Sequence, residues 1–173
     1  LHIAETEKYA HITYFFNGKK EDAFKGEDRV LIPSLHVASY KDAPAMSAKA
    51  IADAAVQDLQ EDPHAFMLIN LANPDMVAHT GDMKATIKAV EATDQALGKI
   101  VDEALSAGAT VVITGDHGNA EEVKNLRTKE IDTEHSTNPV PLILVGKQFD
   151  GKQFEGGDAP EGDLSLLSPS GGL

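Results

Sequence analysis

Two short apolar runs decide the fold of this chain: Leu68-Ile69-Asn70-Leu71 and Val111-Val112-Ile113-Thr114. Each has the length of a strand and lacks regular polar alternation, which is typical of strands that are buried on both faces. Between them, after Gly81, an amphipathic helix is predicted to extend to about Ser106. Such strands separated by helices indicate a three-layer α/β fold, in which helices cover both faces of a mostly parallel sheet.

Further elements extend this pattern along the chain. Ser47 is the predicted N-cap of a helix over residues 48–60. Three more segments have the composition of strands: residues 12–16, 30–32 and 141–145. The apolar residues of the long helix recur in steps of three, four or seven and predict one apolar face: Met83, Ile87, Val90, Leu97, Val101 and Leu105.

Composition and charge restrict the classes of function. A chain of 173 residues has the size of one domain. Its 28 Asp and Glu against 15 Lys and Arg give a net charge of −13, which is unsuited to binding nucleic-acid phosphates. The absence of cysteine excludes disulfides, thiolate metal ligands and cysteine nucleophiles. No run of apolar residues is long enough to predict a membrane span, and no secretory leader is visible.

Five residues with metal-ligating side chains lie beside the predicted strands: Asp75, His79, Asp116, His117 and His135. The first two follow the apolar run at residues 65–71, the next two follow the run at 109–114, and the last precedes the run at 141–145. Ligands of open α/β sheets bind beyond the carboxyl ends of the strands. The first two segments are therefore expected at the binding edge of the sheet.

The spacing of these residues allows them to bind metal in pairs. Asp75 and His79 would share one face of a helical turn, and Pro74 suits the first position of that turn. Asp116 and His117 would point to opposite faces of a regular strand, but the glycines on either side permit another conformation. Carboxylate and imidazole together suit Mn²⁺, Zn²⁺ or Fe²⁺ better than Mg²⁺.

Each of these residues alone also has an ordinary structural explanation. Asp75 would be a turn residue after Asn-Pro, and His79 a helix cap. Asp116 would cap a helix that begins at Gly118, and His135 would be a surface histidine. Their coincidence at strand ends favours one shared site.

Three segments around these residues resemble the cofactor-independent phosphoglycerate mutases of the alkaline phosphatase superfamily. They are Asn-Pro-Asp-Met-Val-Ala-His-Thr-Gly (73–81), Thr-Gly-Asp-His-Gly-Asn-Ala-Glu (114–121) and His-Ser-Thr-Asn-Pro-Val-Pro (135–141). Residues 4–13, 15–18 and 26–34 are similar to the same family. Asp-His-Gly alone would indicate only the superfamily, whereas the ordered set is specific to the mutases.

The resemblance implies that residues 1–173 are the C-terminal portion of an alkaline-phosphatase-like metal-binding domain whose sheet is incomplete on its N-terminal side. It also implies two divalent metal ions, Mn²⁺ in the first place, with Mg²⁺, Zn²⁺ or Co²⁺ as alternatives. Asp75, His79 and His135 would hold one ion. Asp116 and His117 would hold the other. Lys8 matches a family lysine that contacts the phosphate or the nucleophile.

The activity implied for the longer parent enzyme is the interconversion of 3-phosphoglycerate and 2-phosphoglycerate through a phosphoserine, in glycolysis and gluconeogenesis. Such an enzyme would be cytoplasmic and monomeric, with no nucleic-acid or membrane partner. The family's serine nucleophile, one more aspartate ligand and the glycerate-binding domain precede the matched segment. We therefore expect this chain alone to be inactive. Because strands of the parent sheet would also be missing, we expect an exposed strand edge that leads the chain to self-associate or reduces its stability. The alternatives are another superfamily metalloenzyme, such as phosphopentomutase, or a non-catalytic metal-binding fragment.

Three further features bear on these expectations. Ala78 stands where the family commonly has glycine, which adds one methyl to the turn between Asp75 and His79. Residues 162–169 resemble the start of the family's final helical segment. Because the sequence opens at Leu1 without a methionine and closes just after that segment begins, we interpret it as part of a longer protein.

Overall fold

A sheet of three parallel strands carries the first part of the chain in the computed structural model, which describes residues 1–125 and 128–150. The central strand β1 (His2–Glu5) lies between β2 (Arg29–Ile32) and β3 (Leu68–Asn70). The predicted strands at residues 30–32 and 65–71 are therefore confirmed, and the sheet is parallel, as the apolar runs indicate. The segment 162–169 lies outside the described residues.

Two helices pack together on one face of this sheet. They are α1 (Ala48–Glu61) and α3 (Met83–Ser106), and both predicted helices are thereby confirmed. Asp82 caps α3 by accepting a hydrogen bond from the backbone of Ala85. Ser47 precedes α1, but its hydroxyl donates to the carbonyl of Pro33 instead of capping the helix.

The contact between α1 and α3 is made mainly by small side chains. Ala52 and Ala55 of α1 and Ala96 and Ile100 of α3 are buried together with Ile3 of β1. Because alanine lets two helices approach closely, the packed face of α3 is not the stripe of large residues. Met83, Ile87 and Val90 of that stripe are exposed instead. None of the described helices is long and apolar enough to cross a membrane.

A short helical segment covers the opposite face of the sheet. His11–Phe15 forms a π-helical turn, so the strand predicted over residues 12–16 is wrong. The hydroxyl of Thr13 donates to the carbonyl of Tyr9 at 2.8 Å, and the ring of Phe16 meets His2 of β1 edge to face. The local hydrogen bond and the contact with the sheet outweigh the strand preference of β-branched and aromatic residues.

A second sheet consists of two antiparallel strands, β4 (Val111–Thr114) and β5 (Leu142–Val145). Val111 lies opposite Val145, and Thr114 lies opposite Leu142. Both predicted strands are confirmed, but their antiparallel pairing brings the residues that follow β4 next to those that precede β5. The polar segment that follows β4 and the one that precedes β5 therefore lie at the same end of this strand pair.

Candidate metal centre

The helix α2 (Asn73–Ala78) begins just beyond the end of β3 and carries the first candidate ligands. His79 is its C-cap residue, and its Nε2 lies 3.1 Å from Oδ1 of Asp75. The helical spacing thus places both side chains on one face, as the sequence predicts. The methyl of Ala78 is fully buried and does not prevent this approach.

His135 comes from a loop 56 residues further along the chain and completes a group of three. Its Nε2 lies 3.2 Å from Oδ1 of Asp75 and 3.1 Å from Nε2 of His79. The ligand atoms of the three residues all lie within 4.8 Å of one another, and no second group of three does so in the described part of the chain. Two imidazoles and one carboxylate are a donor set that fits a divalent transition-metal ion.

The other nitrogen of His79 is held by the backbone. Nδ1 of His79 lies 2.6 Å from the carbonyl oxygen of Thr133, which accepts its hydrogen bond. In the neutral imidazole this contact places the proton on Nδ1, so that Nε2, which is directed at Asp75, is the nitrogen available to a metal ion; metal-binding histidines are commonly oriented in this way. The backbone around Thr133 thus fixes the orientation of this imidazole.

Asp116 and His117 lie in the loop after β4. Oδ1 of Asp116 is 3.6 Å from Nε2 of His117, so the two side chains converge as expected for a loop flanked by glycines. The ring of His117 stacks on the ring of His135, with centroids 3.6 Å apart. This pair is therefore next to the group of three, and it adds two candidate ligand side chains.

The side chain of Lys8 extends from the end of β1 to Asp75. It ends the 3-10 turn Thr6–Lys8 that follows β1, and its ammonium nitrogen lies 2.5 Å from Oδ2 of Asp75. Both side chains are largely buried. Because β1 and β3 are parallel neighbours, Lys8 and α2 leave the sheet at the same edge.

The surroundings of Asp75 favour the ionised form of its carboxyl group. Burial would raise its pKa, but the hydrogen bonds from Lys8 and Asn119 and the charge of Lys8 outweigh burial and lower the pKa to about 2. A carboxylate that stays ionised at neutral pH retains the negative charge that a metal cation needs.

Two residues of the site have no role in the sequence-based prediction, although both lie in the segment 114–121. Asn119 is buried, and its amide donates to Oδ1 of Asp75 at 2.7 Å. The carboxylate of Glu121 accepts the backbone N–H of Asn119 at 2.7 Å. Their place in the same short segment as Asp116 and His117 is the signal that would have identified them.

Comparison with known proteins gives consistent results over nearly the whole chain. Residues 1–170 match the Metalloenzyme superfamily domain. A 2,3-bisphosphoglycerate-independent phosphoglycerate mutase of Clostridioides difficile is 48% identical over 170 residues, which are 98% of this chain and 32% of that protein. One from Symbiobacterium thermophilum is 53% identical over 148 residues, 86% of this chain and 29% of that protein.

A solved structure supports the same relationship at the level of the fold. The crystal structure of Leishmania mexicana phosphoglycerate mutase at low cobalt concentration matches with a TM-score of 0.77 and 34% identity. It covers 84% of this chain and 29% of that protein. The chain therefore spans about one third of the length of the relatives that it matches.

Proposed function

The chain belongs to the Metalloenzyme superfamily, and we propose that it forms the C-terminal metal-binding part of a cofactor-independent phosphoglycerate mutase. The whole enzyme would interconvert 3-phosphoglycerate and 2-phosphoglycerate. The observation that carries the proposal is the convergence of Asp75, His79 and His135 within 4.8 Å at the edge of the sheet. The names of the bacterial relatives, at 48% and 53% identity, support the choice of substrate.

We assign the two metal positions as follows. Asp75, His79 and His135 hold one divalent ion, and Asp116 and His117 contribute to a second. Mn²⁺ is our first choice, because mixed carboxylate and imidazole ligands suit it, with Zn²⁺, Co²⁺ and Mg²⁺ as alternatives. The Leishmania enzyme was studied with cobalt, which supports a divalent transition metal.

The chain's own residues prepare the site for an anionic substrate. Lys8 supplies a buried positive charge beside Asp75, where it can contact a phosphoryl oxygen. Bound divalent ions would supply Lewis acidity, lowering the pKa of a serine nucleophile and stabilising charge on the transferring phosphoryl group. Thr133 and Asn119 orient His79 and Asp75, so that these ligands need little rearrangement on binding.

We assign the whole enzyme to the cytoplasm and to glycolysis and gluconeogenesis, because its proposed substrates are small charged intermediates of those pathways. The 173-residue chain alone is proposed to be inactive, since by resemblance the serine nucleophile lies outside it. Exposed apolar residues on the second sheet, such as Val112 and Ile143, favour association between copies of the isolated chain. Light scattering tests this point, and a monomer at all concentrations would contradict it.

Calorimetric titration with Mn²⁺ tests the metal assignment. We expect one tighter site, with three protein ligands, and one weaker site, with two. His135→Ala should abolish the tighter site. His64→Ala is the matched control, because His64 lies elsewhere and contacts Asp28 and Asp58. Equal affinity in wild type and His135→Ala would overturn the assignment.

A chimera tests the activity. In it, this chain replaces the corresponding third of one of the bacterial mutases named above, and the formation of 2-phosphoglycerate is followed by coupling to enolase. We expect the chimera to show mutase activity, which Asp75→Asn abolishes. A folded, metal-loaded chimera that hydrolyses phosphoglycerate without isomerising it would favour the alternative of another superfamily enzyme.

A further inference from the structure

Two loops that carry histidines of the candidate metal centre are joined directly by their backbones. Gly118, next to His117, pairs with Ser136, next to His135, in an isolated antiparallel bridge. The N–H of Ser136 donates to the carbonyl of Gly118 at 2.9 Å. This backbone hydrogen bond therefore restrains the distance between the Cα atoms of His117 and His135.

One carboxylate reinforces this contact from both sides. Oε2 of Glu121 accepts the backbone N–H of Asn119 at 2.7 Å. Oε1 of Glu121 accepts the side-chain N–H of Asn138 at 2.9 Å and also the hydroxyl of Ser136. Glu121 thus bonds to the loop of His117 through one oxygen and to the loop of His135 through the other.

The carboxylate of Glu121 and the hydroxyl of Ser136 lie where a side chain at position 118 would stand. A Cβ on Gly118 would overlap Oγ of Ser136 and Oε1 of Glu121, so any side chain at this position would have to displace these two groups. From the loop of His117, the buried side chain of Asn119 donates a hydrogen bond to Oδ1 of Asp75. The carboxylate of Glu121 is in this way connected to all three chain segments that carry candidate ligands.

We propose that Glu121 is a positioning residue that sets the spacing of His117 and His135 and thereby the metal affinity of the site. The proposal rests on the proposed function, in that it takes the group of Asp75, His79 and His135 to bind a divalent ion. Glu121 lies outside the group of three whose ligand atoms are within 4.8 Å of one another, and both of its oxygens accept hydrogen bonds from the loops that it joins. Substitution of a residue that orients metal ligands without binding the metal typically lowers metal affinity by about tenfold to hundredfold.

The test uses Co²⁺ as the probe, because its visible absorption reports the ligand geometry as well as the affinity. In the 173-residue chain, Glu121→Ala should weaken Co²⁺ binding by about tenfold or more and change the absorption spectrum. Glu121→Gln should give an intermediate result, since its amide oxygen can still accept from Ser136 and Asn138. Glu91→Gln, on the exposed side of α3, removes the same charge and should change neither quantity.

The outcomes separate this proposal from the proposed function. Loss of Co²⁺ binding in His135→Ala, together with wild-type affinity and spectrum in Glu121→Ala, would overturn the role of Glu121 alone. Unchanged binding in His135→Ala would overturn the metal assignment itself. If Glu121→Ala does not fold, Ser136→Ala replaces it, because that variant deletes only one hydroxyl from the contact. Wild-type Co²⁺ spectra in both Ser136→Ala and Glu121→Gln would then count against the proposal.

Discussion

The ammonium nitrogen of Lys8 lies 2.5 Å from Oδ2 of Asp75, and the two side chains are only 6% and 14% exposed. Asp75 is at the same time 3.1 Å and 3.2 Å from the imidazoles of His79 and His135. One carboxylate thus faces a lysine through one oxygen and two candidate metal ligands through the other. The charge balance at this point underlies the first two predictions.

Removing Lys8 should destabilise the chain strongly. In Lys8→Met, the carboxylate of Asp75 remains buried without its positive partner, which typically costs about 3–5 kcal/mol. We expect a loss of this order in the free energy of unfolding, measured with urea in the absence of metal. The double variant Lys8→Met/Asp75→Asn should recover part of the loss.

Lys49→Met is the matched control for that experiment. Lys49 is 87% exposed and pairs with Asp53 one helical turn away. An exposed pair of this kind contributes roughly 0.5 kcal/mol. Equal effects of the two substitutions would show that burial does not strengthen the pair formed by Lys8.

Lowering the pH should reduce the free energy of unfolding, because Asp75 becomes protonated. Its pKa is lowered from 3.8 to about 2 in the folded chain, although burial opposes this, because Lys8 and Asn119 donate to it. A lowered carboxyl pKa contributes stability that is present above pH 3.8 and is lost as the pH falls towards 2; here the contribution is about 2 kcal/mol. Urea unfolding between pH 5 and roughly pH 2 measures it. The same pH slope in Asp75→Asn as in wild type would contradict this assignment.

Alanine substitution should have opposite effects at two glycines. In Gly118→Ala, the new methyl overlaps Ser136 and Glu121, so we expect a loss of about 1–3 kcal/mol of stability. Gly98 lies inside α3 with open space around its Cα, and Gly98→Ala should raise stability by about 1 kcal/mol. Thermal unfolding of both variants compares them directly. A stable Gly118→Ala with unchanged Co²⁺ binding would show that the loops can separate without consequence.

Raising the pH should weaken a different contact, that of His64. Its ring nitrogens lie 3.0 Å from Asp28 and 2.5 Å from Asp58, and these carboxylates raise its pKa above 6.5. A raised histidine pKa contributes stability that is fully present below pH 6.5 and is lost as the pH rises through the folded value. The difference in melting temperature between wild type and His64→Gln should therefore shrink from pH 6 towards roughly pH 8. A constant difference would assign the contribution of His64 to packing.

Some features follow from the sequence because they depend on residues close together in the chain. The helix Met83–Ser106 and the strands Leu68–Asn70 and Val111–Thr114 agree with the local pattern of apolar residues. The approach of Asp75 to His79 follows in the same way from the four-residue spacing within a helical turn.

The local pattern of residues gives a wrong prediction where tertiary packing opposes the local conformational preference. His11–Phe15 has the composition of a strand but forms a helical turn that packs against β1 and β3 and buries Ile12 and Thr13. In α3, the large stripe residues Met83 and Ile87 are exposed, because alanines on another side of the helix are buried instead. Ala85 and Ala89 pack with α2, and Ala96 packs with α1.

The sequence by itself determined the α/β class, the main helices and strands, and the residue types able to bind metal, since these depend on composition and on spacings of a few residues. Tertiary structure alone decided that His135 meets Asp75 and His79, that Lys8 pairs with Asp75, and that Glu121 joins two loops. These contacts bridge tens of residues along the chain, or use the space that the missing side chain of Gly118 leaves to Ser136 and Glu121. Their distances are set by how the strands pair, for which the local sequence carries no direct signal.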